Sequence, residues 1–166
     1  MAESLVKATL QLPCSVVIIS AQAGDKKGAM TAGAMYVSQV PPLIAVSVDN
    51  TLATSQLIEQ SQEFAINVIT DSQLELAKRV GSAHGKDVDK FHEFNITTES
   101  ASKIGAPLIS GCFAHIECRV RSSLLESEGN HTIYIGEVVG FKMKDDLGPL
   151  VWLNNRYFTV GAECRI

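Results

Sequence analysis

The chain predicts a mainly β protein, a barrel with a few short helices, and three observations carry that expectation. Runs of β-branched and apolar residues recur at close spacing along the 166 residues. Only two short segments carry helical spacing. The strand–helix alternation of a doubly wound sheet is missing, and so is its Gly-x-Gly-x-x-Gly fingerprint.

Each element follows from local pattern. Cys14–Ser20 is a continuous apolar run and reads as one buried strand, followed by a turn at Gly24–Gly28. Gly28–Ala34 reads as a loop of small and hydroxyl residues. Met35–Val40 and Leu43–Val48 read as strands separated by Pro41-Pro42, because proline donates nothing to a ladder. Leu52–Gln60 reads as a helix starting near Thr51, Thr54 or Ser55, and Phe64–Ile69 as a strand. Ser72-x-x-Glu75 has the form of a capping box opening a helix with Leu74, Ala77 and Val80 on one face. Residues 81–104 read as a polar loop. Cys112–Leu125 and Thr132–Lys144 read as long strands joined at Glu126–Asn130, a hairpin reversal. Leu150–Leu153 and Tyr157–Val160 close the chain as short strands.

Composition narrows the function classes. With 46% hydrophobic and 19% charged residues, one domain spanning 1–166 with a real core is expected, with no linker or repeat. The net charge of −4 with scattered Lys and Arg argues against nucleic acid as a partner. No apolar run reaches the roughly 20 residues that span a bilayer. The first residues lack a signal-peptide layout, so the expectation is a cytoplasmic protein with no membrane attachment. Cys14, Cys112, Cys118 and Cys164 form no Cys-x-x-Cys pair, and Cys112 and Cys118 are expected on one face of one strand as reduced thiols. The four histidines lack ligand spacing, so no metal site is expected.

The residues able to carry chemistry point to a flat, polar-edged, phosphorylated ligand. Small side chains at Met30-Thr31-Ala32-Gly33-Ala34 leave backbone N–H groups approachable, although the same residues also suit an ordinary tight turn. Thr54-Ser55 near a helix N-terminus suits phosphate, and suits plain N-capping equally. Gly81–Lys86 gathers a hydroxyl, an imidazole and a cation in a segment that also reads as a solvated loop. Gly28-x-x-x-x-Gly33 has the glycine spacing of a phosphate loop but lacks its Lys-Ser/Thr. No nucleophile–base order or paired carboxylates favour hydrolysis.

With these motifs in order, the chain resembles the flavin reductase-like family, whose fold is an FMN-binding split β-barrel of Greek-key type. The resemblance covers residues 10–160. It rests on Ala29-Met30-Thr31-Ala32, Pro41-Pro42-Leu43, Thr54-x-x-Leu57-Ile58, Phe64-Ala-Ile-Asn67-Val, Asp89-Lys90-Phe91, Gly105-Ala-Pro107-Leu108, Glu117-Cys118 and His131–Val138, ending with Asn155-Arg156-Tyr157. The resemblance implies that Met30, Thr31, Ala32 and Gly33 line the flavin ring, with Ser47, Val48 and Asp49 at the next strand's end. Thr54 and Ser55 would hold phosphate, with Ser82, His84, Lys86 and Lys90 around the ribityl-phosphate tail and Tyr157 bordering the ring. His131 would contact the nicotinamide of NAD(P)H as co-substrate. FMN is the implied cofactor ahead of FAD, in a homodimer serving a redox protein or a flavin-dependent monooxygenase. Two departures bear on the electron donor: Asn130 stands where the family has Asp, and His84 where a small residue is usual. The activity that the resemblance implies is NAD(P)H:flavin oxidoreductase. The alternatives are a flavoredoxin-like electron carrier and a non-catalytic FMN-binding module.

Overall fold

The computed structural model describes residues 2–83, 89–125 and 129–164. The chain runs through α1 (Ala2–Thr9), β1 (Cys14–Ser15), β2 (Val17–Ala23), β3 (Lys26–Ala32), β4 (Ala34–Ser38), β5 (Leu43–Asp49) and α2 (Ala53–Ser61). It continues with β6 (Glu63–Val68), a 3₁₀ turn (Asp71–Gln73), α3 (Leu74–Ser82), α4 (Lys90–Glu93), β7 (Thr98–Glu99) and β8 (Leu108–Ile109). The long strands β9 (Ala114–Leu125) and β10 (His131–Met143), then β11 (Leu150–Leu153) and β12 (Arg156–Thr159), complete it.

Seven antiparallel strands form the main sheet in the order β3-β2-β6-β9-β10-β5-β4, flanked by a β1-β11-β12 sheet and a β7-β8 pair. The sheet curls until edge strand β3 approaches β5, which makes it a split barrel. Its inner face carries Val17, Ile19, Met30, Val46, Val48, Phe64 and Tyr134, closed by Leu57 and Ile58 of α2. Its outer face carries Val16, Ile18 and Ala29 against Ala77 and Val80 of α3 and Phe91 of α4. Burial on both faces explains why β2 reads as an unbroken apolar run rather than an alternating one. Each such side chain contributes roughly 1.5–3 kcal/mol of transfer free energy.

Several sequence expectations need correction. The run Cys14–Ser20 is two strands, because the chain leaves β11 at Ser15 and joins β3 and β6 from Val17 onward. Gly28–Ala34 is not a loop: β3 extends through Ala32 and β4 starts at Ala34. Its small residues serve packing. A Cβ on Gly28 would lie 2.9 Å from Leu57 Cδ1 and 3.1 Å from Thr54 Oγ1, so only glycine lets α2 sit this close. The cap before α3 is earlier than Ser72–Glu75: Thr70 N–H donates to Gln73 Oε1 at 3.4 Å, while Gln73 Nε2 donates to the Ser110 carbonyl. The segment 81–104 is partly ordered, holding the end of α3, then α4 and β7. Cys112 precedes β9, and the two buried thiols lie in different clusters, Cys118 inside the barrel and Cys112 outside. Gly111, at φ +82°, lies in the turn between β8 and Cys112. Burial pushes the Cys112 thiol up to about 11 and the Cys118 thiol up to about 12.

Buried polar groups converge on one irregular segment, residues 98–109. Glu117 accepts from Ser102 N and Oγ and from Lys103 N at 2.6–3.0 Å. Burial alone would raise its pKa, but these donors hold its carboxyl below the usual range. Glu63 accepts from Gly105 N at 2.8 Å, and Ser20 Oγ donates to the Pro107 carbonyl at 2.6 Å. Asn67 Oδ1 accepts from Ile109 N at 2.7 Å while its Nδ2 donates to the Ile18 carbonyl and Ser20 Oγ. His115 Nε2 meets the Ile109 carbonyl at 2.7 Å. Among the described residues no helix is long and apolar enough to cross a membrane. Nor do the described residues contain a group of three His, Cys, Asp or Glu side chains placed to hold a metal.

Candidate functional site

Helix α2 starts at a turn closed by Asp49, whose Oδ1 accepts from Thr51 N at 2.9 Å and Thr51 Oγ1 at 2.6 Å. The N-cap is Leu52, which has no polar side chain to offer. No side chain caps the helix, and Ala53 and Thr54 at its positive end line a pocket. Across the barrel wall the β10 residue Tyr134 holds the helix in place, its hydroxyl 3.1 Å from Ser55 Oγ and 3.3 Å from Glu59 Oε1.

The pocket has a volume of about 390 Å³ and lies between the start of β3, the N-terminal half of α2 and the start of α4. Three lysines reach it: Lys26 and Lys27 from β3, and Lys90 from α4. Lys90 is nearly buried, donates from Nζ to the Val80 carbonyl at 2.8 Å in the last turn of α3, and has its pKa lowered by desolvation. Lys27 Nζ lies 4.8 Å above the Phe91 ring. The two carboxylates present are Asp25 and Asp89, and Asp89 is used as the cap of α4, accepting from Phe91 N and His92 N. A helix N-terminus, a hydroxyl at Thr54 and an excess of ammonium groups suit a phosphate.

The expected site residues divide between this pocket and the barrel beside it. Thr54 and Lys90 line the pocket. Ser55 does not, because its hydroxyl turns inward to Tyr134. Met30 and Val48 point into the barrel core, so these two residues can offer a ligand only main chain. Thr31 donates to the Ala77 carbonyl at 2.6 Å and touches Gly81, which fixes α3 against β3. Gly33 packs on Cys14, whose Sγ would lie 3.3 Å from a Cβ there. Strand β3 is a sheet edge, so alternate N–H groups of Met30–Ala32 are not consumed by β2. His131 pairs with Asp49 across β10–β5, its Nδ1 2.8 Å from Asn130 Oδ1 and Ser47 exposed nearby on β5.

Other expected residues lie apart. Ser82 is exposed and donates back to the Arg79 carbonyl. Tyr157 on β12 packs against the outer cluster, with Lys78 Nζ 6.0 Å from its ring. His84 and Lys86 fall outside the described residues. Sequence reasoning missed Lys26, Lys27, Gln56 and Gln60. The signal was present in Lys26-Lys27-Gly28, two cations directly before a glycine that admits a helix.

Fold and site together define a split β-barrel with a lysine-lined pocket beside its edge strand. The chain matches the flavin reductase like domain over residues 9–161 and belongs to that family. It is 32% identical over 149 residues to a flavin reductase of Pseudomonas putida, covering 89% of this chain and 83% of that one. An NADH-dependent FAD reductase of Streptomyces globisporus is 31% identical over 129 residues, covering 76% and 68%. A flavin-dependent monooxygenase reductase subunit, HsaB, of Rhodococcus jostii is 30% identical over 121 residues, and the match spans 58% of its length. Among solved structures, the Streptomyces globisporus NADH:FAD oxidoreductase SgcE6 superposes with a TM-score of 0.85 at 25% identity, covering 97% of this chain and 94% of that one. The protein is an oxidoreductase of flavin reductase type.

Proposed function

We propose that the chain is an NAD(P)H-dependent flavin reductase whose flavin phosphate occupies the pocket at the start of α2. The observation that carries this reading is the convergence on one cavity of an uncapped helix N-terminus, Thr54, and Lys26, Lys27 and Lys90. The flavin, when bound, supplies the ring that accepts hydride from the nicotinamide. The chain's own residues bind and orient. Main-chain groups of Met30–Gly33 follow the ring edge, which needs donors and tolerates no bulky side chain. Ser47 and Asp49 bound the far end on β5. His131 sits one strand away from Asp49 and orients the nicotinamide with a ring nitrogen while Nδ1 is held by Asn130.

Exposed apolar residues on one face of the sheet support the homodimer expectation. Met35 on β4, Ile133 on β10 and Leu124 on β9 share the outer face and are all exposed. Likeness to HsaB, a monooxygenase reductase subunit, supports delivery of reduced flavin to a monooxygenase partner.

Anaerobic stopped-flow mixing tests the reaction. Bound flavin should lose its visible absorbance on addition of NADH or NADPH. No bleaching above background with either nucleotide would refute the reductase reading and leave an electron carrier reduced by a protein partner.

A further inference from the structure

Tyr134 is the largest of the fully buried side chains among the described residues. A phenylalanine would fill nearly the same volume without the desolvation cost of a buried hydroxyl. That hydroxyl spans one turn of α2, with Ser55 Oγ 3.1 Å away and Glu59 Oε1 3.3 Å away. Residues four apart share one face of a helix. At neutral pH the Glu59 carboxylate only accepts, so the tyrosine donates to it and Ser55 Oγ donates to the tyrosine. Burial pushes the Tyr134 phenol up, which keeps its proton in place. Ser61 bonds to Glu63 of the strand that follows it. Apart from that, among the described residues, the side-chain hydrogen bonds from α2 to the barrel strands all run to Tyr134. The rest of the grip is apolar: Leu57 and Ile58 enter the core, and Gly28 places no side chain beneath the helix. Such packing is non-directional and resists a small rotation or slide only weakly.

We propose that the Tyr134 hydroxyl is the positioning group of the phosphate pocket. By holding α2 at Ser55 and Glu59, it fixes the rotation and axial position at which Thr54 and the helix N-terminus meet the phosphate. The inference rests on the function proposed above. Tyr134 itself does not line the pocket, so it acts through the helix. Thr54 lies about 100° round the helix from Ser55, so a hold on Ser55 sets where Thr54 faces. Hydrogen bonds weaken steeply with misalignment, and a small rotation of α2 would remove them without unfolding it.

Binding of FMN and of riboflavin, which lacks the phosphate, separates this role from a general structural one. The parent should bind FMN at least about tenfold more tightly than riboflavin. Tyr134→Phe should weaken FMN about three- to tenfold and leave riboflavin within about twofold. Ile58→Val, a core change outside the pocket, should lower the melting temperature and keep the parent's ratio of the two affinities. Glu59→Ala repeats the test at an exposed position where folding is not at stake, and should also weaken FMN alone. Glu59→Gln keeps an acceptor for the phenol and should bind both ligands as the parent does. An unchanged ratio in Tyr134→Phe would overturn the proposal. So would equal changes in Glu59→Ala and Glu59→Gln, which would report lost charge in place of lost alignment. A parent that binds riboflavin as tightly as FMN would refute the phosphate assignment itself, and this inference with it.

Discussion

Two polar regions of this molecule use their donors and acceptors in opposite ways. Around residues 98–109, Ser20, Asn67, His115 and Glu117 are buried and each is bonded within the protein. At the start of α2, Thr54 is just as buried, yet its hydroxyl has no hydrogen bond among the described residues, and the helix has no side-chain cap. Satisfied groups hold structure; unsatisfied groups beside a cavity are held ready for something else. The contrast identifies the site better than burial does.

It can be broken or sharpened by substitution. The largest effect is expected at Asn67→Ala, which orphans the Ile18 carbonyl side of the network and Ile109 N. Chemical denaturation should show a loss of about 3–4 kcal/mol, while flavin affinity of the folded fraction stays within a factor of two or so. A loss of flavin binding without a loss of stability would reverse the assignment of the two regions.

Glu117→Gln comes next, at about 2 kcal/mol at neutral pH, because an amide cannot accept all the N–H and O–H donors that the carboxylate does. Its pH signature is specific. Hydrogen bonds from Ser102 and Lys103 hold the native carboxyl below the ordinary glutamate range, so its contribution is present above that range and is lost as pH falls through the depressed native pKa. The parent should therefore lose stability on the acid side more steeply than the glutamine variant. Parallel acid limbs in the two proteins would count against this account.

Thr54→Val is smaller and opposite in kind. The swap keeps shape and removes a hydroxyl that no described residue uses, so the melting temperature should hold or rise. Flavin affinity should fall about five- to tenfold, the worth of roughly 1 kcal/mol. Unchanged flavin binding would move the phosphate elsewhere. At the bottom of the scale, Ser82→Ala should alter neither stability nor flavin affinity by more than about 0.5 kcal/mol, since its hydroxyl only returns to its own helix.

The barrel strands were legible because their signal is local. Phe64–Val68 and the long β9 and β10 runs announce themselves by β-branched and apolar residues, whatever they pack against. Strand β3 was not. Lys-Lys-Gly-Ala-Met-Thr-Ala has little strand propensity, and its state is decided by α2 and α3 pressing on its two faces. That information lies some 30 to 50 residues away in the sequence. The candidate site followed the same division. Thr54 and Lys90, expected from ordered motifs, both line the pocket. Ser55 looks equivalent to its neighbour in sequence, and only the structure shows Tyr134 meeting its hydroxyl from the opposite wall. Lys26 and Lys27 look like turn residues until the β2–β3 register, Gln22 opposite Lys27, puts them beside the helix.

The separation of the buried thiols has a practical consequence. With Cys112 and Cys118 held protonated to about 11 and about 12, neither offers a thiolate to an electrophile at neutral pH. Cys14 is half-buried and also shifted upward, while Cys164 is exposed near the chain end. A maleimide fluorophore added briefly at neutral pH should therefore attach at Cys164. That single tag would let self-association be tested with no engineered cysteine.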